Sequence, residues 1–186
     1  MKRMGGMVTI GFSLIVLFGA PIHSYGFDYF TAQQDGKGEY LRILESAHVN
    51  TVPHSISINR LDNALGDLKY TLERFPNHPR GLQLMGVVSQ ILKKPGLAVS
   101  YYHKAIEQFP RYAVTRAQFG LYLVGIGDLD DGINMLIQSV EIDPRFPGGH
   151  AGLAHAYAKK GEMSNARDAA AKARELGFKG QLPPGL

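Results

Sequence analysis

The 186-residue sequence contains no cysteine. Disulfides, thiolate nucleophiles and zinc–thiolate sites are excluded with it, while the redox compartment is left open. An excess of one charge is also lacking. The chain has 20 Lys and Arg against 16 Asp and Glu, a net +4, and Lys2 and Arg3 supply two of those positive charges. The rest of the chain is almost balanced and has no basic stripe, which argues against nucleic acid or an anionic membrane as partner. Long hydrophobic runs are missing too. Val8 to Ala20 is uncharged but ends at Pro21, short of the roughly 20 apolar residues that a spanning helix needs.

That short run has the layout of a secretory signal. Lys2 and Arg3 form its basic start, and Ser24-Tyr25-Gly26 places small residues at −3 and −1 before Phe27. Residues 1–26 are therefore expected to be a cleaved signal peptide, with a retained anchor as the rival reading. Without a cysteine after the run, a lipoprotein is excluded. The mature chain is expected to be periplasmic or secreted, with no stable membrane insertion.

Motifs for catalysis are scarce. Neither Gly-x-Ser-x-Gly nor Ser-x-x-Lys occurs, so acyl transfer has no visible nucleophile. Gly120, Gly125 and Gly127 match no phosphate-binding fingerprint and have no strand before them. His48, His54, His78, His103, His150 and His155 form no His-x-x-x-His pair, and His150 and His155 lie about 140° apart round a helix. Asp128, Asp130 and Asp131 lack the glycine and distal glutamate of a calcium loop and read as helix capping. Tyr101, Tyr102, Tyr112, Tyr122 and Tyr157 read as core and interface fillers. No enzyme activity, cofactor or metal site is expected.

Repetition is what the sequence does have. Pro76, Pro110 and Pro144 fall 34 residues apart and close similar phrases, Glu73-Arg74-Phe75-Pro76, Glu107-Gln108-Phe109-Pro110 and Glu141-Ile142-Asp143-Pro144. Each is followed by a large–small pair (Met85-Gly86, Phe119-Gly120, Leu153-Ala154). Further small residues recur at Ala98, Gly132 and Ala166, and again at Ala105, Ser139 and Ala173. Small residues in register let two antiparallel helices approach closely. Turns fall at Lys94-Pro95-Gly96, Gly127-Asp128 and Gly161-Glu162. A fixed period of this length with a helix–turn–helix in each unit indicates a repeat solenoid.

These residues resemble the tetratricopeptide repeat family. The third unit carries Leu153, Ala154, Tyr157, Gly161, Ala166 and Ala173 in register. The family's early aromatic or leucine is kept as Leu82 but replaced by Arg116 and His150, and Lys93-Lys94-Pro95 stands where the glycine turn belongs. More loosely, the Phe75 to Arg80 phrase and the Pro-rich tail resemble small exported bacterial repeat proteins. The resemblance implies an all-α, right-handed α-solenoid of tetratricopeptide hairpins, with three regular repeats and a degenerate N-terminal helix pair.

The expected organisation is a signal over 1–26, an N-terminal segment with one helix and a long loop over 27–58, repeats over 59–178 and a tail over 179–186. Arg60 to Arg74 reads as the second helix of the degenerate pair, and Glu39 to Val49 as its first, with a loop through Pro53. Eight helices are expected, six of them in regular hairpins.

In the family the first helices of the hairpins line a concave groove. Its positions here are Arg80, Gln83, Val87, Gln90 and Ile91, then Val114, Ala117, Leu121 and Val124, then Ala151, His155 and Lys159. An apolar middle with polar ends implies a site for a protein or peptide segment. The implied role is an exported adaptor or scaffold for an envelope-associated complex; the alternative is a helical accessory domain for a small ligand or glycan in the same groove. Two matters stay open at this level. Phe27-Asp28-Tyr29-Phe30, or the tail, is a rival occupant of the groove. The Ala-rich last helix needs cover, from the Leu182–Leu186 tail or from a second copy in a homo-oligomer.

Overall fold

The computed structural model describes residues 26–186, so the expected leader lies outside the described residues except for Gly26. Among the described residues there are nine α-helices: α1 Gly38–Leu44, α2 Val52–Ser57, α3 Leu61–Arg74, α4 Pro79–Ile91, α5 Pro95–Gln108, α6 Ala113–Ile126, α7 Leu129–Ile142, α8 Pro147–Lys160 and α9 Met163–Glu175. A π-helical turn, Glu45–Val49, follows α1. No described residue is in a strand, and no described helix is long and apolar enough to cross a membrane. Helices α4/α5, α6/α7 and α8/α9 are the three regular hairpins of an all-helical solenoid.

Prolines start several helices. Pro79, Pro95 and Pro147 occupy the first turns of α4, α5 and α8, where a missing N–H costs nothing. The buried His78 caps α4 by accepting the Gly81 N–H on Nδ1 at 3.0 Å. Its Nε2 is then left to donate to the Glu45 carboxylate at 3.2 Å.

The inner helices all stop in the same way. The N–H of Lys94 donates to the Ser89 carbonyl, that of Asp128 to Leu123 and that of Glu162 to Tyr157, each at 2.9 Å. The residue before each donor has a left-handed backbone: Lys93 (φ 57°), Gly127 (φ 101°) and Gly161 (φ 86°). This six-to-one bond is the Schellman ending of a helix. A fourth copy lies one period earlier, where Arg60 N–H donates to Ser55 at 2.8 Å and Asn59 has φ 58°.

That fourth copy corrects the reading of residues 27–58. The expected loop through Pro53 is α2, and α2, not Glu39–Val49, ends in register with α4, α6 and α8. It packs on α3 and reaches α4, as an inner helix should. Pro53 has no N–H to give the Val49 carbonyl, so one continuous helix cannot pass through it. Instead the chain makes a π turn, with Asn50 N–H on the Glu45 carbonyl at 2.8 Å, and restarts at Val52.

The repeated positions form the core. Ala64, Ala98 and Ala166 are fully buried with Gly132, as are Thr71, Ala105, Ser139 and Ala173. The two hydroxyls in that column are satisfied: Thr71 Oγ1 donates to the Asp67 carbonyl at 2.8 Å and Ser139 Oγ to Ala113 at 2.7 Å. Leu68, Leu72, Leu82, Met85, Tyr102 and Phe119 fill the space around them, and burying each such side chain stabilises by about 1.5–3 kcal/mol.

The aromatic N-terminal segment does not fill the groove. It docks across the loops that join α3 to α4 and α5 to α6. The Asp28 carboxylate accepts from Asn77 Nδ2 at 2.7 Å, Tyr112 Oη at 2.6 Å and Phe30 N–H at 3.0 Å. Tyr29 N–H donates to Asn77 Oδ1 at 2.9 Å, and Phe30 stacks on Tyr112 with centroids 4.4 Å apart. The segment thus ties the first regular repeat to the second.

Candidate functional site

Helix α4 packs on α6 and α6 on α8, so the three first helices form one continuous inner face. Their side chains set what that face can hold. On α4, Arg80, Gln83, Val87 and Gln90 all project to solvent, and Ile91 joins them. Arg80 Nη1 donates to Asn50 Oδ1 at 3.0 Å, which fixes this end of the face against the π turn. On α6, Leu121 is 41% exposed and Val114 half-buried. On α8, His155 and Lys159 are exposed.

Three expected positions are core instead. Ala117, Val124 and Ala151 are buried at 4%, 6% and 3% exposure, and Ala117 and Val124 pack with Ile133, Leu136, Leu153 and Ala156. Helix α6 touches α4, α5, α7 and α8, so it has only a narrow strip left for solvent. Leu121 holds that strip. Val124 keeps one contact with the site, since it also lies in the floor of a cleft between α6 and α8.

Two depressions meet at Leu121. The smaller, about 190 Å³, runs between α4 and α6 and includes Gln83, Val87, Gln90 and Gln118. Gln118 Nε2 donates to the Pro79 carbonyl at 3.3 Å, while its Oε1 is buried and has no donor among the described residues. The larger is the open cleft, about 970 Å³, bounded by α6, α8, the end of α9 and the tail. Leu121, Val124 and Ala158 give it an apolar floor, and His155, Lys159 and Arg174 line it with basic side chains.

The tail is the wall that groove positions on three helices did not foretell. The Gln181 carbonyl lies 3.2 Å from His155 Nε2, and Gly180 to Pro184 border the cleft. Beyond it, Gly185 and Leu186 share a crevice with Arg167, Ala170, Ala171 and Arg174 of α9. The tail thus covers part of the last helix and narrows one end of the inner face without occupying its middle. Adjacent Pro183 and Pro184 keep it out of a helix. Arg174 was also unforeseen, because it belongs to a second helix and reaches the cleft only at the open end of the array.

Lys159 is anchored as well as exposed. Its Nζ donates to the Val124 carbonyl at 2.5 Å, in the last turn of α6, where a cation meets the negative end of the helix dipole. Burial raises the Tyr122 hydroxyl beside the smaller depression from its ordinary value, and lowers Arg116, which turns away from this face to Gln138 of α7.

No family model matches the chain. A stretch of 86 residues, 46% of the chain, is 33% identical to the inactive TPR repeat-containing thioredoxin TTL3 of Arabidopsis thaliana, and the chain spans only 12% of that relative's length. Among solved structures, MamA residues 41 to the end from Desulfovibrio magneticus RS-1 superposes with a TM-score of 0.53 at 21% identity, over 79% of this chain and 89% of that one. Another crystal structure of MamA gives 0.52 at 18% identity, over 78% and 92%. At such identities the likeness concerns the fold.

Proposed function

We propose that this helical repeat chain is of the tetratricopeptide type, as its partial likeness to a TPR repeat-containing relative and its fold support, and that it is an exported adaptor that holds a protein segment on its inner face. The observation that carries the proposal is the exposed apolar strip of Val87, Ile91 and Leu121, flanked by polar and basic side chains. Large aliphatic side chains left in water along a shared face, with a polar rim, mark interaction sites in folded proteins. The chain's own termini leave that strip open: the N-terminal segment lies on the loops, and the tail stops at one end of the face.

Export rests on the sequence of residues 1–26, and an envelope-associated complex is the setting that an exported adaptor would serve. The open form of the large cleft fits a chain segment that runs through better than a small ligand, which is normally enclosed over most of its surface. Pull-down from envelope extract tests the function. A stoichiometric protein that is lost with Leu121→Glu supports it; capture that is unchanged in the folded variant overturns it. Export has its own test, since the mature protein should begin at Phe27 and fractionate with the periplasm.

A further inference from the structure

The acidic residues of this chain are distributed unevenly. Helices α4, α6 and α8 contain no Asp or Glu. Their charged side chains are Arg80, Arg116, Lys159 and Lys160, with His150 and His155 beside them. Every outer helix of the repeats, α3, α5, α7 and α9, carries at least one carboxylate. In a chain with 20 basic and 16 acidic residues, the inner helices thus carry charge of one sign only, although Arg116 turns to Gln138 of α7 and Lys160 to Asp130 and Glu162. Overall net charge conceals this, because the outer helices cancel it.

The positive groups flank the apolar strip. Arg80 stands at the start of α4 and Lys159 at the end of α8, with Leu121 between them on α6. In the large cleft the basic groups converge: Lys159 from α8 and Arg174 from α9 both line it, together with His155. None of its lining residues is acidic. Neither Lys159 nor Arg174 has a carboxylate partner among the described residues, whereas Lys160, next in sequence, is held by Asp130 at 2.8 Å and Glu162 at 3.0 Å. The contrast separates a charge neutralised by carboxylates from two that are not, Lys159 keeping its charge although its Nζ also donates to the Val124 carbonyl.

We infer that the segment bound by this face is an acidic peptide with a large apolar anchor: its anchor sits against Leu121, and its carboxylates meet Lys159 and Arg174 in the cleft walled by the tail. This deepens the proposed function and rests on it. A charge of one sign lining a cleft with low-dielectric walls raises the local concentration of the opposite charge and rejects like charge. The apolar floor selects for the anchor, so a bare polyanion meets only half of the requirement.

The test uses the protein spanning residues 27–186 and three fluorescein-labelled synthetic peptides: one with Leu and Phe flanked by Glu, the same peptide with Lys for Glu, and oligoglutamate. Fluorescence polarisation should show the acidic apolar peptide binding at least about tenfold tighter than either other peptide, with an affinity that falls as salt rises. The pair Lys159→Glu and Arg174→Glu should remove that preference. The pair Lys172→Glu and Lys104→Glu makes the same charge change away from the cleft and should retain it. Equal binding of the first two peptides, or no binding of either, overturns the inference. Oligoglutamate binding as well as the apolar peptide also overturns it, since a polyanion site needs no anchor. The groove reading fails separately: Leu121→Glu in a folded protein would then leave acidic-peptide binding and envelope capture untouched. If Leu121→Glu abolishes capture while the peptides show no charge preference, the groove stands and the acidic partner falls.

Discussion

Gly120 on α6 and Gly132 on α7 face each other so closely that a Cβ on Gly120 would lie 2.7 Å from the Gly132 carbonyl oxygen and 2.7 Å from Leu136 Cγ. In return, a Cβ on Gly132 would meet Val124 Cγ2 at 2.6 Å and the Gly120 carbonyl at 2.9 Å. Backbone stands against backbone here, so neither side can give way by turning a side chain. Gly120→Leu is expected to cost about 1–3 kcal/mol or more, the usual scale of overpacking. Gly66 provides the contrast, being helical and exposed with nothing within 4 Å of its missing Cβ. Gly66→Ala should stabilise by about 0.5–1 kcal/mol. Urea unfolding of the two variants should give shifts of opposite sign.

The turn between α4 and α5 predicts a gain. Lys93 holds φ 57° at the position where the next two hairpins have Gly127 and Gly161. A left-handed residue with a Cβ is strained by roughly 1–2 kcal/mol, partly offset by the larger unfolded-state entropy of glycine. Lys93→Gly should therefore raise stability by a few tenths to about 1 kcal/mol. Gly127→Ala should lower it by a comparable amount. Thermal unfolding monitored by circular dichroism reads both.

How much of this was legible in the sequence depends on the residue type at each repeated position. Gly127 and Gly161 announce their turns because glycine is the ordinary left-handed residue. Asn59 and Lys93 make the same turn without that signal, so the sequence around Pro53 reads as a loop where the structure has α2. The groove was blurred for a different reason. Helix α6 is apolar on nearly every side, and no period separates Leu121, which is exposed, from Val124 and Ala117, which are core. Only contacts with four neighbouring helices decide that, and they are not local. The absence of acids from α4, α6 and α8 could have been read directly once the inner helices were assigned.

His78 gives the stability a pH dependence. Burial, aided by the charge of Arg80, pushes it down to about 4, and its Nδ1 is already engaged as acceptor from Gly81. A proton on Nδ1 would remove the cap of α4. The folded value lies below the unfolded value of about 6.5, so the unfolded chain binds the proton first. Stability is thus complete above about pH 6.5 and declines as pH falls from there towards 4. The full loss is on the order of 3 kcal/mol. His78→Asn keeps a capping acceptor without the titration. Its stability should fall less over that window, as chemical denaturation at stepped pH would show.

Asp28 holds the N-terminal segment to two repeats at once, through Asn77 and Tyr112. Asp28→Ala leaves the buried Asn77 amide and the half-buried Tyr112 hydroxyl without their acceptor, at a cost of about 1–3 kcal/mol. The effect should be local. Amide exchange should rise over residues 26–36 and at the starts of α4 and α6, while α8 and α9 keep their protection. Uniform exchange across all three hairpins would mean that the segment is part of the global folding unit and not a tie laid over it.

Glutamate substitutions should separate the inner face from the core beneath it. Leu121 and Val87 are 41% and 43% exposed, so glutamate at either position keeps its carboxylate in water while the protein is free. Val124, at 6% exposure and packed on α7 and α8, has no such freedom. Leu121→Glu with Val87→Glu should therefore melt close to the parent protein, since surface substitutions usually change stability by about 0.5 kcal/mol or less. Val124→Glu should unfold or lose several kcal/mol, because its charge is buried without a partner. Binding should divide the variants differently. The folded double variant is expected to lose its partner, both by desolvating an unpaired charge against an apolar anchor and by repelling an acidic one. Because salt weakens the second cause, and the parent's own attraction with it, the variant is compared with the parent at each ionic strength, and a difference that closes at high salt isolates repulsion. A difference that persists would place the anchor itself on the strip formed by Val87 and Leu121.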